Sequence, residues 1–166
     1  MIFLGELIIN NNLYDFSNGT GYIEKDWGIS FPSSYIWAQA NDFSNKHCSL
    51  FISIANIPYS IFLFKGFICS LMFDNKEYRF ATYNGSKILN YNVNTNNFNI
   101  KLKNKDFILH VYSDSNDCFS LKSPKCGSMK NKIKESINSK ISVCLYEKEK
   151  LIFKDSSLNC GLEIVI

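Results

Sequence analysis

The sequence has few of the residues that usually build nucleic-acid or metal sites. Arg79 is the only arginine, and the net charge of +3 comes from lysines scattered among acidic residues. Nucleic-acid-binding proteins usually cluster Lys and Arg on one face to contact phosphates, so we expect no nucleic-acid partner. Only two histidines are present, His47 and His110, and no two cysteines have the CxxC spacing typical of zinc sites. The sequence therefore predicts no metal ion and no metal cofactor.

The six cysteines and the N-terminal segment bear on the cellular compartment. Most of the cysteines fall inside apolar, strand-like segments, where unpaired cysteines are typical of small buried hydrophobic residues in a reducing compartment. A secretory peptide would carry a basic region and a cleavage site, and neither occurs in the N-terminal segment MIFLGELIIN. We therefore predict buried, unpaired cysteines and a cytoplasmic protein.

The longest apolar segment extends from Leu50 to Phe73. As a transmembrane helix it would place Asn56, Pro58 and Lys65 inside the bilayer, where polar and charged residues are unfavourable. Two buried strands joined at Pro58 accommodate the same residues without this cost. We predict a soluble protein that is at most peripheral to a membrane and contacts its surface transiently.

Short apolar segments alternate with turns rich in Asn, Ser and Gly along the chain. Aromatic residues make up 15% of the sequence, and aromatic side chains favour strands. The predicted strands are Phe3–Ile9, Tyr35–Phe43, Ser49–Ile57, Phe62–Phe73, Glu77–Thr82, Lys87–Tyr91, Phe98–Leu102, Phe107–Tyr112, Lys140–Tyr146, Leu151–Phe153 and Gly161–Val165. Only Ser128–Ser139 is equally compatible with a helix and with a strand carrying alternate lysines. The pattern predicts an all-β domain, an antiparallel meander forming a barrel or sandwich, with little or no helix.

One predicted strand mixes aromatic rings and amides on a single face. Side chains alternate between the two faces along a strand. The residues that share this face are Tyr35, Trp37, Gln39, Asn41 and Phe43. An unpaired amide in a dry core costs about 1–3 kcal/mol, whereas the wall of a partly polar cavity tolerates amides. Two interpretations stay open: the face lines such a cavity, or Gln39 and Asn41 anchor neighbouring loops.

The most distinctive segment extends from Gly21 to Phe43, with the sequence GYIEKDWGISFPSSYIWAQANDF. It resembles the signature of the tocopherol cyclase family, whose members carry EK-D/N-WG, FP and W-x-Q-x-N-x-F in this order. The matching residues are Glu24, Lys25, Asp26, Trp27, Gly28, Phe31, Pro32, Trp37, Gln39, Asn41 and Phe43. Three later segments resemble the bacterial branch of the family: FKGFI at Phe64–Ile68, YRFATYNGSKI at Tyr78–Ile88 and NCGLEIVI at Asn159–Ile166.

This resemblance extends over nearly the whole chain and implies a domain organisation. Family members are longer than this chain, which resembles their C-terminal half. The resemblance therefore implies one β domain, residues 1–166, with a fold related to lipocalin-like two-domain β-proteins. A site shared between the two halves would need a missing N-terminal half or a second copy of this chain, as in a homo-oligomer.

The resemblance also implies a cyclase reaction that needs no cofactor. A prenylated quinol or phenol becomes a chromanol when a general acid protonates a trisubstituted alkene and the phenolic oxygen captures the tertiary carbocation. Glu24 is the first candidate for the acid, because the family pattern allows Asn at the position of Asp26, the second candidate. Residues two apart in a strand share a face, and nearby carboxyls or burial raise the pKa of a carboxyl.

The same motif implies binding roles for five further residues. The indoles of Trp27 and Trp37 would stabilise the carbocation, with a cation–π attraction of about 0.5–2 kcal/mol each. The amides of Gln39 and Asn41 would hold the phenol, and Lys25 would pair with a carboxylate or orient the ring oxygen. The expected ligand is an apolar or prenylated small molecule.

Three alternatives remain open on the sequence alone. Residues 24–26 are compatible with an exposed turn, and Trp27, Phe31 and Pro32 with an aromatic plug at the end of a barrel. A lipocalin-like carrier would hold an apolar ligand without transforming it, because an apolar pocket with a few polar groups suits either function. A half-protein would act only together with its N-terminal partner domain.

Overall fold

The computed structural model describes residues 4–19, 21–25, 27–115 and 117–166. Within these residues the chain forms twelve strands and a single short 3₁₀ turn, Thr82–Asn84. The strands are β1 (Glu6–Ile9), β2 (Asn12–Asp15), β3 (Tyr35–Ala40), β4 (Ser49–Tyr59), β5 (Phe62–Phe73), β6 (Lys76–Ala81), β7 (Lys87–Val93), β8 (Asn97–Lys103), β9 (Phe107–Asp114), β10 (Phe119–Lys125), β11 (Ser128–Glu147) and β12 (Lys150–Val165).

Ten of these strands form one antiparallel sheet. Its order is β6-β5-β4-β3-β12-β11-β9-β8-β7, and β10 pairs with β11 outside this path. β6 and β7, the end strands of the described sheet, do not pair with each other, so the sheet is not a closed barrel. β1 and β2 form a separate hairpin. The prediction of an all-β antiparallel fold with almost no helix is confirmed.

The long apolar segment forms two strands as predicted, but its turn lies beyond Pro58, and the prediction that both strands are buried is wrong for residues 57–65, which are exposed because no third strand pairs with them. Pro58 is still inside β4, opposite Leu63, and the chain turns at Ser60 and Ile61. Ser60 has a φ of 57°, in the left-handed region that tight two-residue hairpin turns require. Proline is tolerated on free edges, and Pro58 lies beyond the part of β4 that pairs with β3. Among the described residues, no helix is long and apolar enough to cross a membrane.

The ambiguous segment Ser128–Ser139 is a strand, because it pairs with neighbours on both sides as the first part of β11. Ile133 is buried against the sheet while the flanking Lys132 and Lys134 are exposed, which is the alternation of a strand with one covered face. The sequence did not predict β2 or β10. Both consist mainly of exposed residues, and β10 contains Pro124, so neither carries the apolar pattern that marks a strand.

The core lies on one face of the curled sheet. Alternate residues of each strand build it, such as Ile36, Ala38 and Ala40 of β3, which are almost fully buried. Rings from distant strands also meet there, since Phe73 of β5 stacks on Phe153 of β12 with ring centroids 3.9 Å apart. The other large and fully buried side chains include Leu50, Ile52, Ile54, Leu71, Phe80, Phe98, Ile100, Leu102, Leu109, Ile141 and Leu145. Packed side chains therefore fill the core face of the sheet.

All six cysteines are free thiols. Cys48, Cys69 and Cys160 are buried as predicted, and burial raises the pKa of the Cys48 and Cys160 thiols to about 12. The prediction of buried cysteines is wrong for Cys118 and Cys126, which are exposed. These two residues lie just outside the two ends of β10 and not inside a strand, so no neighbouring strand covers them.

Candidate active site

A cavity of about 720 Å³ lies on the face of the sheet opposite the core. Its floor consists of side chains from β3, β4, β5 and β12, and its roof consists of described residues between Glu24 and Pro32, which form no helix or strand. Aromatic side chains make up much of its wall. These are Trp27, Phe31, Tyr35, Trp37 and Phe51.

The strand register explains why the floor residues meet. Trp37 of β3 lies directly opposite Glu163 of β12 and opposite Ser53 of β4. Ser53 in turn lies opposite Ile68 of β5. All four residues line the cavity, and none belongs to the buried core. Because directly opposed residues on paired strands share a face, this row forms one continuous floor across four strands.

Contacts with distant parts of the chain hold the roof in place. The Tyr22 ring stacks on Phe51 of β4 with centroids 5.9 Å apart. The backbone N–H of Gly127, in the turn between β10 and β11, donates a hydrogen bond of 2.8 Å to the Ile29 carbonyl. The backbone N–H of Cys126 donates another of 2.8 Å to Ser30 Oγ. The segment is therefore attached to β4 just before the roof begins and to the β10–β11 turn within the roof, although the roof has no regular secondary structure.

Glu24 and Trp37, two residues of the sequence motif, meet at this cavity. The Trp37 indole Nε1–H donates a hydrogen bond of 2.8 Å to Glu24 Oε2, and the Tyr22 hydroxyl donates one of 3.0 Å to the same oxygen. The Glu24 side chain is exposed at the edge of the cavity, which it helps to line. Asp26, the other predicted acid, lies outside the described residues.

Lys25 and Trp27 contact each other at the outer edge of the site. The Lys25 ammonium lies 5.9 Å from the centroid of the Trp27 ring, which is within the range of cation–π attraction. Trp27 lines the cavity although it is 86% exposed, and Lys25 is exposed and is not part of the lining. Trp27 is thus at the mouth, whereas Trp37 is part of the floor.

The structure does not bring the two predicted amides into the cavity lining. Gln39 continues the Trp37 face of β3, but it lies between Phe51 and Gly161, and its buried Nε2 has no hydrogen-bond partner. Asn41 lies beyond β3, which ends at Ala40 because the pairing of β3 with β4 and β12 ends there. The predicted shared face therefore stops at Gln39. Phe43, expected on the same face, packs into the core instead.

Two functional candidates were not identified from the sequence: Glu163, and Tyr35, which was placed on the mixed face of the strand but was given no role. The Tyr35 hydroxyl donates a hydrogen bond of 2.6 Å to Glu163 Oε2, and both residues line the cavity. The signal for Glu163 was a lone carboxyl in the closing strand, GLEIVI. A charged residue between apolar neighbours in a strand indicates a functional face, but the sequence does not show that β12 pairs with β3.

Burial and neighbouring charges shift the ionisation of this pair. Desolvation raises the pKa of Glu163, and the carboxylates of Glu135 and Glu24 raise it further, while the hydrogen bond from Tyr35 lowers it. Glu135 is the residue directly opposite Glu163 on β11. Burial, together with the Glu163 hydrogen bond, raises the pKa of Tyr35 far above its usual value, so its phenol stays protonated. The site thus contains a carboxyl whose pKa is raised and a fixed hydroxyl donor.

Comparison with known proteins agrees with the motif. A family model described as tocopherol cyclase-like matches residues 3–165. No curated protein and no solved structure matches the chain. The family match extends over both the roof motif and the strand that carries Glu163. The chain therefore belongs to the tocopherol cyclase-like family.

Proposed function

We propose that the protein closes a chromanol ring on a prenylated quinol or phenol by acid catalysis in the cavity described above. The observation that carries this proposal is the half-buried Glu163 carboxyl in an aromatic-walled cavity of a tocopherol cyclase-like protein. Ring closure of this kind requires a protonated acid next to an apolar tail, and desolvation and neighbouring carboxylates make a carboxyl hold its proton more strongly than a free one.

Glu163 is the proton donor in this proposal. Its proton passes to the less substituted carbon of the trisubstituted alkene, so a C–H bond forms, the π bond breaks and a tertiary carbocation remains. The phenolic oxygen then forms a C–O bond to the cationic tertiary carbon, and its O–H bond breaks to release the phenolic proton. The substrate and the chromanol have the same composition, so the step needs no oxidant, reductant or second substrate.

The neighbouring groups have separate roles in this proposal. The Trp37 ring, directly opposite Glu163 in the register, faces the carbocation, and a cation–π contact there is worth about 0.5–2 kcal/mol. Tyr35 is a positioning residue that fixes the Glu163 carboxyl through its hydrogen bond. Glu24, held by Trp37, accepts the phenolic proton, and solvent restores both carboxyls. The sequence-based choice of Glu24 as the acid is the competing assignment.

The remaining motif residues have a minor role or no role in the proposed reaction. Trp27 forms part of the cavity mouth, and Lys25, Gln39 and Asn41, which are outside the lining, take no part in the reaction. The correspondence of this chain to the C-terminal half of longer relatives stays a prediction, as does the need for an N-terminal half or a second copy. The conversion assay is therefore done at several protein concentrations.

Incubation in D₂O with a methylated hydroquinone that carries a prenyl tail of at least two isoprene units tests the proposal. The expected product is a chromanol of one handedness with a single non-exchangeable deuterium, on the ring carbon next to the quaternary centre. A racemic product at the rate of the protein-free control would contradict enzymatic ring closure. Tight binding of the quinol without conversion at any protein concentration would favour the carrier function instead.

A further inference from the structure

The tip of the β4–β5 hairpin, residues Asn56–Lys65, projects beyond the rest of the sheet. The last residue of β4 that pairs with β3 is Ala55, and the first residue of β5 that pairs with β6 is Ile68. Apart from a backbone hydrogen bond of 3.0 Å from the Asn56 N–H to the Ser34 carbonyl, β4 and β5 pair only with each other from Asn56 to the turn. Four residues at roughly 3.3 Å each make an extension of roughly 13 Å.

Large apolar side chains cover both faces of this hairpin tip. Ile57, Tyr59, Phe62 and Phe64 share one face, since Ile57 lies opposite Phe64 and Tyr59 opposite Phe62. Pro58 and Leu63 form a pair on the other face, and the turn adds Ile61. All seven side chains are exposed, although an isolated two-stranded hairpin is at best marginally stable in water.

The charge distribution indicates what covers the tip. Lys65 is the only charged residue in the entire β4–β5 hairpin, residues 49–73. Its ammonium lies 3.4 Å from the centroid of the Tyr91 ring on β7, so the single positive charge is held where the tip leaves the sheet. A globular partner would cover one face of a hairpin, whereas hydrocarbon surrounds an inserted hairpin on both faces. A cation at the base complements the anionic headgroups of a bilayer.

We infer that this hairpin tip inserts into the surface of a lipid bilayer. An extension of roughly 13 Å reaches through the headgroup region, and interfacial elements typically bury their apolar face about 5–10 Å deep. Tyr59 supplies a ring with a polar end, the kind of side chain enriched at membrane interfaces.

The register also connects the tip to the cavity. Phe51, Ser53 and Ala55 line the cavity and share a face of β4, and the next residues on that face are Ile57 and Tyr59. The cavity floor therefore continues without interruption into the aromatic face of the tip. If the proposed function holds, a prenylated substrate can pass along this face from the bilayer while its tail stays in contact with apolar side chains. Insertion of the tip does not depend on the proposed function.

Flotation with vesicles of phosphatidylcholine and phosphatidylglycerol, without any substrate, tests the insertion. We expect the protein to float with the vesicles and the double variant Ile61→Ser, Leu63→Ser to bind at least tenfold more weakly, because each exposed Leu or Ile buried in lipid contributes more than 1.4 kcal/mol. The matched control is Ile137→Ser, Leu158→Ser, which removes the same two residue types. The control pair is 69% and 66% exposed, against 86% and 66% for the tip pair.

Three outcomes would overturn the inference. The first is wild-type protein that does not float, and the second is equal loss of flotation in the tip and control variants. The third is wild-type protein that does not bind vesicles but self-associates in sedimentation, while the tip variant does not self-associate. This result would assign the tip to a second copy of the chain. Since no quinol is present, none of these results bears on the ring-closure chemistry, and a failed conversion assay would not affect vesicle binding.

Discussion

The Tyr35 hydroxyl donates a 2.6 Å hydrogen bond to the Glu163 carboxyl, and this joins the first residue of β3 to the closing strand of the sheet. The pair lines the cavity on the side of the sheet away from the core. A half-buried carboxyl with a fixed donor is the arrangement from which the proposed acid chemistry follows, and the first prediction concerns its titration.

Tyr35→Phe is expected to move the pH profile of the conversion upward. In the proposal only protonated Glu163 is active, so kcat/KM falls as the pH rises through its pKa. The Tyr35 hydrogen bond lowers the Glu163 pKa, and its removal therefore raises that pKa and extends activity to higher pH. Measurement of kcat/KM against pH in both proteins checks this. A descending limb that moves to lower pH would exclude Glu163 as the acid.

The raised pKa of Glu163 also predicts how the stability of the fold depends on pH, and the test of this prediction needs no substrate. Its pKa is raised in the folded protein, whereas an unfolded Glu titrates near about 4.3. Between these two values the folded state binds more protons, so the free energy of unfolding falls as the pH rises through this window. Because Gln does not titrate, Glu163→Gln removes this pH-dependent loss of stability. Urea denaturation of both proteins from pH 4 to 8 measures the free energy of unfolding by linear extrapolation. The variant should become more stable relative to the wild-type protein as the pH increases. A stability difference between the two proteins that does not change with pH would contradict the raised pKa.

The Trp37–Glu24 contact can be observed directly because the chain has only two tryptophans. In a ¹⁵N-correlated spectrum, Glu24→Ala should move the Trp37 indole N–H signal and speed its exchange, since its acceptor is gone. Lys25→Ala is the matched control. It removes the cation beside Trp27 and should perturb the Trp27 signal only. An unchanged Trp37 signal in Glu24→Ala would show that this hydrogen bond does not form in solution.

Gly161 is expected to leave the space that the Trp37 ring occupies, because it has no side chain. A Cβ atom at Gly161 would lie 3.1 Å from Trp37 Cζ3 and 3.4 Å from Cη2, so Gly161→Ala should displace the ring and lower the free energy of unfolding by about 1–3 kcal/mol. In the control Gly28→Ala, the nearest atom to the new Cβ is 3.9 Å away. Urea denaturation and the Trp37 indole signal measure both effects. Equal behaviour of the two variants would mean that Gly161 does not support the Trp37 ring.

Local patterns made the strands and the motif predictable. A nearly continuous apolar segment bounded by turn residues predicted Phe62–Phe73 with its observed bounds, and the alternation of side chains along a strand placed Tyr35, Trp37 and Gln39 on one face. Predicted strand ends failed where the pairing of neighbours decides them. β3 stops at Ala40 because β4 and β12 stop pairing there.

The composition of the cavity could not be predicted because it depends on pairing between distant segments. Glu163 lies opposite Trp37 only because β12 inserts between β3 and β11, and no local pattern encodes that order. Glu24 and Trp37, which are 13 residues apart within the motif segment, both line the cavity. The stronger candidate for the acid is 126 residues from Trp37 and became visible only with the sheet register.

The most direct test of the account is the rate of chromanol formation by Glu163→Gln compared with that of Glu24→Gln. A positioned general acid contributes about 10²–10⁴-fold, so Glu163→Gln should lose activity by that factor while it still binds the quinol and remains folded. Glu24→Gln should lose less, because solvent can also accept the phenolic proton. Wild-type conversion by Glu163→Gln would contradict the central claim, and a larger loss in Glu24→Gln would return the role of the acid to Glu24.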